Sequence, residues 1–167
     1  FIAKVAERTK KMVPGDPLDP KTRLGAIASK AQLERVLNYV QIAKTEGASL
    51  VAGGSRADIG TGKGFFMQPT VFTDVTPEMT IAREEIFGPV LAAIEFGDVD
   101  EAIARANDSM YGLAAGVWTR DLKKAHYVAS RLEAGTVWVN TYNVYDTAAP
   151  FGGYKQSGFG REMGQHA

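Results

Sequence analysis

Apolar positions along the chain switch between two periods. Leu33, Val36, Leu37, Val40 and Ala43 recur at helical spacing, while Glu34, Arg35, Asn38 and Lys44 occupy the opposite positions. That is an amphipathic helix with one buried face. Ser29 followed by Gln32 is a capping-box pair, whose hydroxyl and amide can satisfy two orphan backbone donors at its start. Gly47 can end it in the left-handed conformation. Phe1, Ile2, Val5 and Ala6 read as the last turns of an earlier helix. The run Pro14-Gly15-Asp16-Pro17-Leu18-Asp19-Pro20 that follows can only be a loop, because proline fixes φ and removes a donor.

Further on, short apolar runs replace the helical period. Ala48–Ala52 reads as a strand, and glycines at 53–54 and 60–64 bracket a polar excursion. Phe65–Met67 and Thr70–Phe72 read as strand segments broken by Pro69, and Pro77-Glu78 starts a short helical stretch toward Glu85. From Pro89 the pattern becomes regular. Strands over Val90–Phe96, Leu113–Trp118 and Thr136–Asn140 alternate with helices capped by Asp98 or Asp100 and by Asp121, the second running to Leu132 with Gly135 as its C-terminal cap. Strand, helix, strand, helix, strand with short joints predicts two successive right-handed crossovers in a parallel sheet. Nearly uniform apolarity of the strands predicts helices on both sheet faces. The expected fold class is therefore α/β, with residues 1–167 forming one domain that is incomplete at both ends.

Composition narrows the chemistry. The 167 residues, 45% of them hydrophobic, suffice for one buried core. Lys+Arg and Asp+Glu are 19 each, a balance that gives no pull toward nucleic acid or an anionic membrane. No apolar run approaches ~18–20 residues, and no basic-then-apolar leader is present, so a cytoplasmic protein is expected. Cysteine is absent, which excludes disulfides, thiolate zinc and a cysteine nucleophile within this chain. The first residue is Phe1 rather than Met, which reads as a piece of something longer.

Taken alone, the candidate residues stop short of an active site. Adjacent Glu84 and Glu85 point in different directions on any regular backbone, so one paired and one solvated carboxylate is expected rather than a dyad. Gly158-Phe159-Gly160 with Gly164 departs from the dinucleotide spacing and follows coil, and the 152–158 stretch lacks the end of a P-loop. Glycines that let backbones pass closely are the plainer account. His126 reads as a surface residue, and His166 is the next-to-last residue. The glycine-rich segment after Asn140 leaves the carboxyl end of a parallel strand, where α/β proteins place ligands.

Five stretches in order change the picture. Gly15-Asp16-Pro17, Phe66-Met67-Gln68-Pro69-Thr70-Val71, Glu84-Glu85-Ile86-Phe87-Gly88-Pro89-Val90, Tyr111-Gly112-Leu113-Ala114-Ala115-Gly116-Val117-Trp118 and Pro150–Glu162 together resemble the aldehyde dehydrogenase superfamily. The resemblance covers nearly the whole chain and implies the C-terminal part of a catalytic domain. The family's nucleophilic cysteine, general-base glutamate and most of the cofactor domain would lie upstream, and an oligomerisation strand downstream. The implied reaction is NAD(P)-dependent oxidation of an aldehyde to a carboxylic acid through a thiohemiacetal and a thioester on that cysteine. NAD is the expected cofactor, with NADP as the alternative.

Only secondary roles carry over to these residues. By resemblance, Glu85 matches the glutamate that hydrogen-bonds the nicotinamide ribose, and Phe87 the ring packed against that region. Asn143, Tyr145 and Phe151 match positions lining the aldehyde passage, which two aromatics and a neutral amide would make mainly apolar. Glu162 matches a charge-relay carboxylate, and the Lys155 and Gly158 carbonyls match a main-chain potassium site. A structural ion pair between Lys155 and Glu162 competes with those last roles. The small-molecule partner would be an aldehyde, and the parent a homodimer or homotetramer. The isolated segment, lacking the thiol, is expected to be inactive. Two other readings stand beside this one: a stand-alone binding or scaffold module that keeps the fold without catalysis, and a small independent nucleotide-binding protein using the glycine loop.

Overall fold

A computed structural model describes residues 1–165, in which the backbone gathers into two compact units, Phe1–Glu95 and a second beginning at Phe96. His166 lies outside the described residues.

In the first unit, α1 (Ile2–Lys10) precedes the proline loop, and α2 (Lys30–Thr45) is the principal helix. The Ser29 hydroxyl accepts from the Gln32 N–H at 3.1 Å, as the capping pattern requires. The other half of the expected box is absent: the Gln32 amide turns away from the cap to a distant carbonyl, described below. At the far end Gly47 adopts φ +100, Ala48 N–H reaches Ala43 O and Gly47 N–H reaches Lys44 O. Those two bonds are a Schellman ending, so the αL reading of Gly47 holds.

Strands β1 (Ser49–Ala52) and β2 (Thr70–Thr73) follow. A short helix, α3 (Thr80–Arg83), and β3 (Val90–Ala92) complete the unit. The sheet order is β1-β2-β3, with β1 antiparallel and β3 parallel to β2. The sheet is thus mixed rather than wholly parallel, because β1 returns through the glycine excursion to its neighbour instead of through a helix. Period-two alternation on β2 decides the core. Phe72 faces a cluster with Leu33, Val36, Val40 and Ala43 of α2, while Val71 faces Ala6 of α1 and Ala52. Helices α2 and α1 therefore pack on opposite faces of this sheet at β2, while Leu91 of β3 stays 47% exposed. Phe65–Met67 forms only an isolated bridge between Met67 and Arg56, not a strand, although Phe66 and Met67 are buried.

The second unit contains α4 (Val99–Asn107), β4 (Tyr111–Gly112), β5 (Ala114–Val117), α5 (Leu122–Ala129), β6 (Thr136–Val139) and β7 (Tyr154–Lys155). Asp98 caps α4 by accepting from Glu101 N–H, and Asp121 caps α5 by accepting from Lys124 N–H. β5 and β6 pair in parallel across α5, which is the predicted crossover. The other expected crossover does not form within one sheet, since β3 pairs with β2. β4 and β7 make a separate antiparallel pair. Helix α5 ends at Ala129, and its hydrogen bonding runs on as far as Leu132 N–H to Val128 O. Gly135 is not its cap. A Cβ there would stand 1.6 Å from the Gly152 carbonyl oxygen, so this glycine exists to let two backbones meet. His126 lies exposed on α5, as expected.

Candidate functional site

The chain leaves α3 in extended conformation at Glu84, with φ −110 and ψ 144, and turns at Phe87, where Gly88 N–H reaches the Ile86 carbonyl at 2.8 Å. Extended backbone sends alternate side chains to opposite sides. Glu84 accepts a hydrogen bond from the Tyr39 hydroxyl at 2.6 Å, and Ile86 packs on the cluster beneath. Glu85 is exposed and Phe87 is 70% exposed. The expectation of one paired and one solvated glutamate is met. An aromatic ring held so far into solvent by a hydrogen-bonded segment is the kind of group a ligand covers.

Three contacts hold this segment, and sequence reasoning found none of them. Gln32 Nε2 donates to the Phe87 carbonyl at 2.9 Å, Tyr39 holds Glu84, and Gly88 lies on Val36 so closely that a Cβ would come within 2.7 Å of a methyl. The only signal was the polar character of Gln32 and Tyr39 on an otherwise buried flank of α2. Helical periodicity treats such residues as solvated.

The second region follows β6 in the other unit. Asn140 adopts φ +56, a conformation that asparagine tolerates better than most residues. Its amide makes two bonds to one residue, accepting from Thr119 N–H and donating to Thr119 O, each at 2.9 Å. That pair ties the carboxyl ends of β5 and β6 together. Buried Trp138 donates from Nε1 to the Val144 carbonyl at 2.8 Å. Its ring meets Tyr142 at 4.9 Å and Tyr145 at 5.5 Å, and Tyr145 meets Phe151 edge-on at 5.1 Å. The structure thus brings Tyr145 and Phe151 together in an aromatic cluster. Asn143 is exposed at φ +59 on the same loop. A cavity of about 590 Å³ opens at the carboxyl ends of β5 and β6, walled by Trp118, Thr119, Leu122, Ala125, Val139 and Asn140. None of Asn143, Tyr145 and Phe151 lines it.

The glycine-rich loop is closed at its base. Phe151 and Glu162 exchange both backbone N–H···O bonds at 2.7 Å. Arg161 Nη1 donates to the Gly153 and Gly160 carbonyls, and its guanidinium lies 5.1 Å over the Tyr154 ring. Ser157 Oγ accepts from Gly112 N–H at 2.9 Å. A Cβ at Gly152 would meet the Gly160 carbonyl oxygen at 2.5 Å. Close backbone passage accounts for Gly152 and Gly153, whereas Gly158 and Gly160 hold positive φ with open space beside them.

Lys155 does not pair with Glu162. Its ammonium sits 2.6 Å from Glu133 and donates to Asn107 O, which Asn107 complements by donating to Arg131 O and accepting from Glu133 N–H. The Lys155 carbonyl and that of Gly158 flank a turn, with φ +52 and +131 respectively. Elsewhere in this unit the Tyr127 hydroxyl donates to Asp100, which raises its pKa above the ordinary tyrosine value, with burial adding to the effect. Among the described residues, no three His, Cys, Asp or Glu side chains could together hold a metal, and no helix is long and apolar enough to cross a membrane.

With the exposed Glu85–Phe87 pair and the aromatic loop in view, comparison with known proteins gives a consistent result. The sequence matches the aldehyde dehydrogenase family over residues 1–167. The chain belongs to that family. Betaine aldehyde dehydrogenase of Brucella melitensis is 56% identical over 165 residues, which are 98% of this chain and 34% of that protein. Among solved structures, the NAD+ complex of aldehyde dehydrogenase from Bacillus cereus matches with a TM-score of 0.94 and 52% identity, covering 99% of this chain and 33% of that one. Betaine aldehyde dehydrogenase from Staphylococcus aureus in complex with NAD+ matches with a TM-score of 0.96 and 42% identity, covering 99% and 33%. The chain spans about a third of the length of the relatives it matches.

Proposed function

We propose that this chain supplies cofactor-facing and substrate-facing walls to an NAD-dependent enzyme that oxidises an aldehyde to a carboxylic acid. The reading is carried by one observation: on the Glu84–Phe87 segment, Glu84 and Ile86 are consumed by α2 and the core, leaving Glu85 and Phe87 presented outward. NAD, when bound, supplies the hydride acceptor. The Glu85 carboxylate suits the ribose end, because it can accept from both hydroxyls at once. The Phe87 ring limits where the ring beside it can lie, and reactive geometry tolerates little misplacement.

In the loop after β6, Asn143, Tyr145 and Phe151 are assigned to the passage by which the aldehyde enters. The aromatic faces also favour a quaternary ammonium group, which supports a cationic aldehyde such as the one naming the Brucella relative. Glu162 is assigned to proton relay. The Lys155 and Gly158 carbonyls offer the hard-oxygen donors that an alkali cation takes.

The chain has no cysteine, so the sulfur nucleophile must come from the longer protein, and the chain by itself should be inactive. Oligomerisation of the parent as a homodimer or homotetramer and a cytoplasmic location belong to the same reading. The missing thiol also favours the alternative, a non-catalytic binding or scaffold module with this fold. Assay of the full-length protein with betaine aldehyde and an aliphatic aldehyde, each with NAD and with NADP, separates them. Turnover with NAD is expected; a full-length protein that reduces neither cofactor with either aldehyde would sink the enzymatic reading.

A further inference from the structure

We infer that Gln32 and Tyr39 are positioning residues, which act through the Glu84–Gly88 backbone to fix where Glu85 and Phe87 stand. The inference rests on the reading that this segment meets NAD.

Three residues of α2 and its C-cap, Glu46, touch the chain between Thr80 and Gly88. Gln32 donates to the Phe87 carbonyl, Val36 lies under Gly88, Tyr39 donates to the Glu84 carboxylate, and the Glu46 carboxylate just beyond α2 accepts from the Thr80 N–H and hydroxyl. Positions 32, 36, 39 and 46 are separated by steps close to whole helical turns, so they form one stripe. The segment runs antiparallel to that stripe and is strapped at both ends and in the middle. Its hold is polar where burial cannot supply one: Ile81, Ala82 and Ile86 pack on the core cluster, but Glu84 and Phe87 are exposed residues.

The two straps do different work. Tyr39 fixes a side chain that faces α2, which sets the alternation sending Glu85 outward. Gln32 fixes the carbonyl of Phe87 itself, and therefore the direction in which the ring leaves the backbone. Because that carbonyl is accessible to water, loss of the strap costs little folding stability. Its loss shifts the segment instead. Only a donor can serve at position 32. A glutamate of the same shape presents oxygens to an oxygen and repels it.

The test uses the full-length enzyme with Gln32→Glu, Gln32→Lys, Tyr39→Phe and Phe87→Ala, measured by NAD titration, single-turnover NADH formation and thermal unfolding. Gln32→Glu and Tyr39→Phe should each weaken NAD binding or slow the single turnover by about three- to tenfold, the range of one net hydrogen bond. Their Tm should stay at the parent value, and Gln32→Lys, which restores a donor, should recover part of the loss. A lowered Tm with unchanged binding and turnover would mean the straps are merely structural, and would overturn the inference. If Phe87→Ala slows turnover while Gln32→Glu does not, the positioning role alone fails. If Phe87→Ala changes nothing, the cofactor reading of the segment fails and takes this inference with it.

Discussion

The Glu84–Gly88 segment and the Asn140–Glu162 loop hold their candidate functional side chains by opposite means. The first is short and held from outside, by polar groups spaced along a single helix. The second is long and holds itself, through ring-on-ring contacts, a guanidinium reaching back to two carbonyls, and glycines that admit backbone against backbone. A strapped segment can be displaced without unfolding anything. A self-packed loop cannot change one contact without disturbing its neighbours. Substitutions in the first region should therefore alter activity more than stability, and in the second the order should reverse.

The sharpest challenge to that contrast is Gly135→Ala in the full-length protein. The new methyl would fall 1.6 Å from the Gly152 carbonyl oxygen, with backbone on both sides and nothing flexible to yield. A loss of about 3 kcal/mol or more is expected, at the upper end of overpacking costs, read as a lowered midpoint in urea; a loss below ~1 kcal/mol would show the loop to be looser than described. Next in size is Phe87→Ala. The ring is 70% exposed, so Tm should hardly move, while turnover falls by about tenfold to a hundredfold, as for a misplaced reactant. Phe151→Ala comes third. Removing the edge-on partner of Tyr145 should cost about 1 kcal/mol of stability beyond the lost burial, measurable as non-additivity in a double-mutant cycle with Tyr145→Ala. The smallest effect belongs to Glu133→Gln. Its ion pair with Lys155 is more than half exposed on the glutamate side, so a change of about 0.5 kcal/mol or less is expected and should vanish in high salt.

Legibility in the sequence followed the same division. Periodicity revealed α2, its Ser29 cap and its Gly47 ending, and β2 as a strand, because each follows from local spacing. It also revealed that Glu84 and Glu85 part company. What periodicity lacked was any record of partners distant in the chain. Gln32 carried a capping signal that was correct for its backbone and wrong for its side chain, which goes to a carbonyl 55 residues away. Gly135 sat where a helix cap would be plausible, yet its reason is Gly152. Strand β1 was legible as a strand but not as an antiparallel one, since apolarity alone does not state direction. The roles of Glu85, Phe87, Asn143, Tyr145, Phe151, Glu162, Lys155 and Gly158 came from resemblance, and the residue types alone would not have singled them out. Lys155 shows the limit of reading charges in sequence, as its ammonium chose Glu133 over Glu162.

Trp138 gives this molecule an optical gauge. The chain has two tryptophans; the indole of Trp138 is buried and hydrogen-bonded to Val144, whereas Trp118 is 62% exposed. Replacing Trp118 with phenylalanine would leave, within these residues, one emitter whose colour and quenching by neighbouring tyrosines depend on how the segment beyond β6 is seated. On the proposed assignment of Tyr145 and Phe151 to the aldehyde passage, binding of an aldehyde there would register as a spectral change, with no label and no turnover.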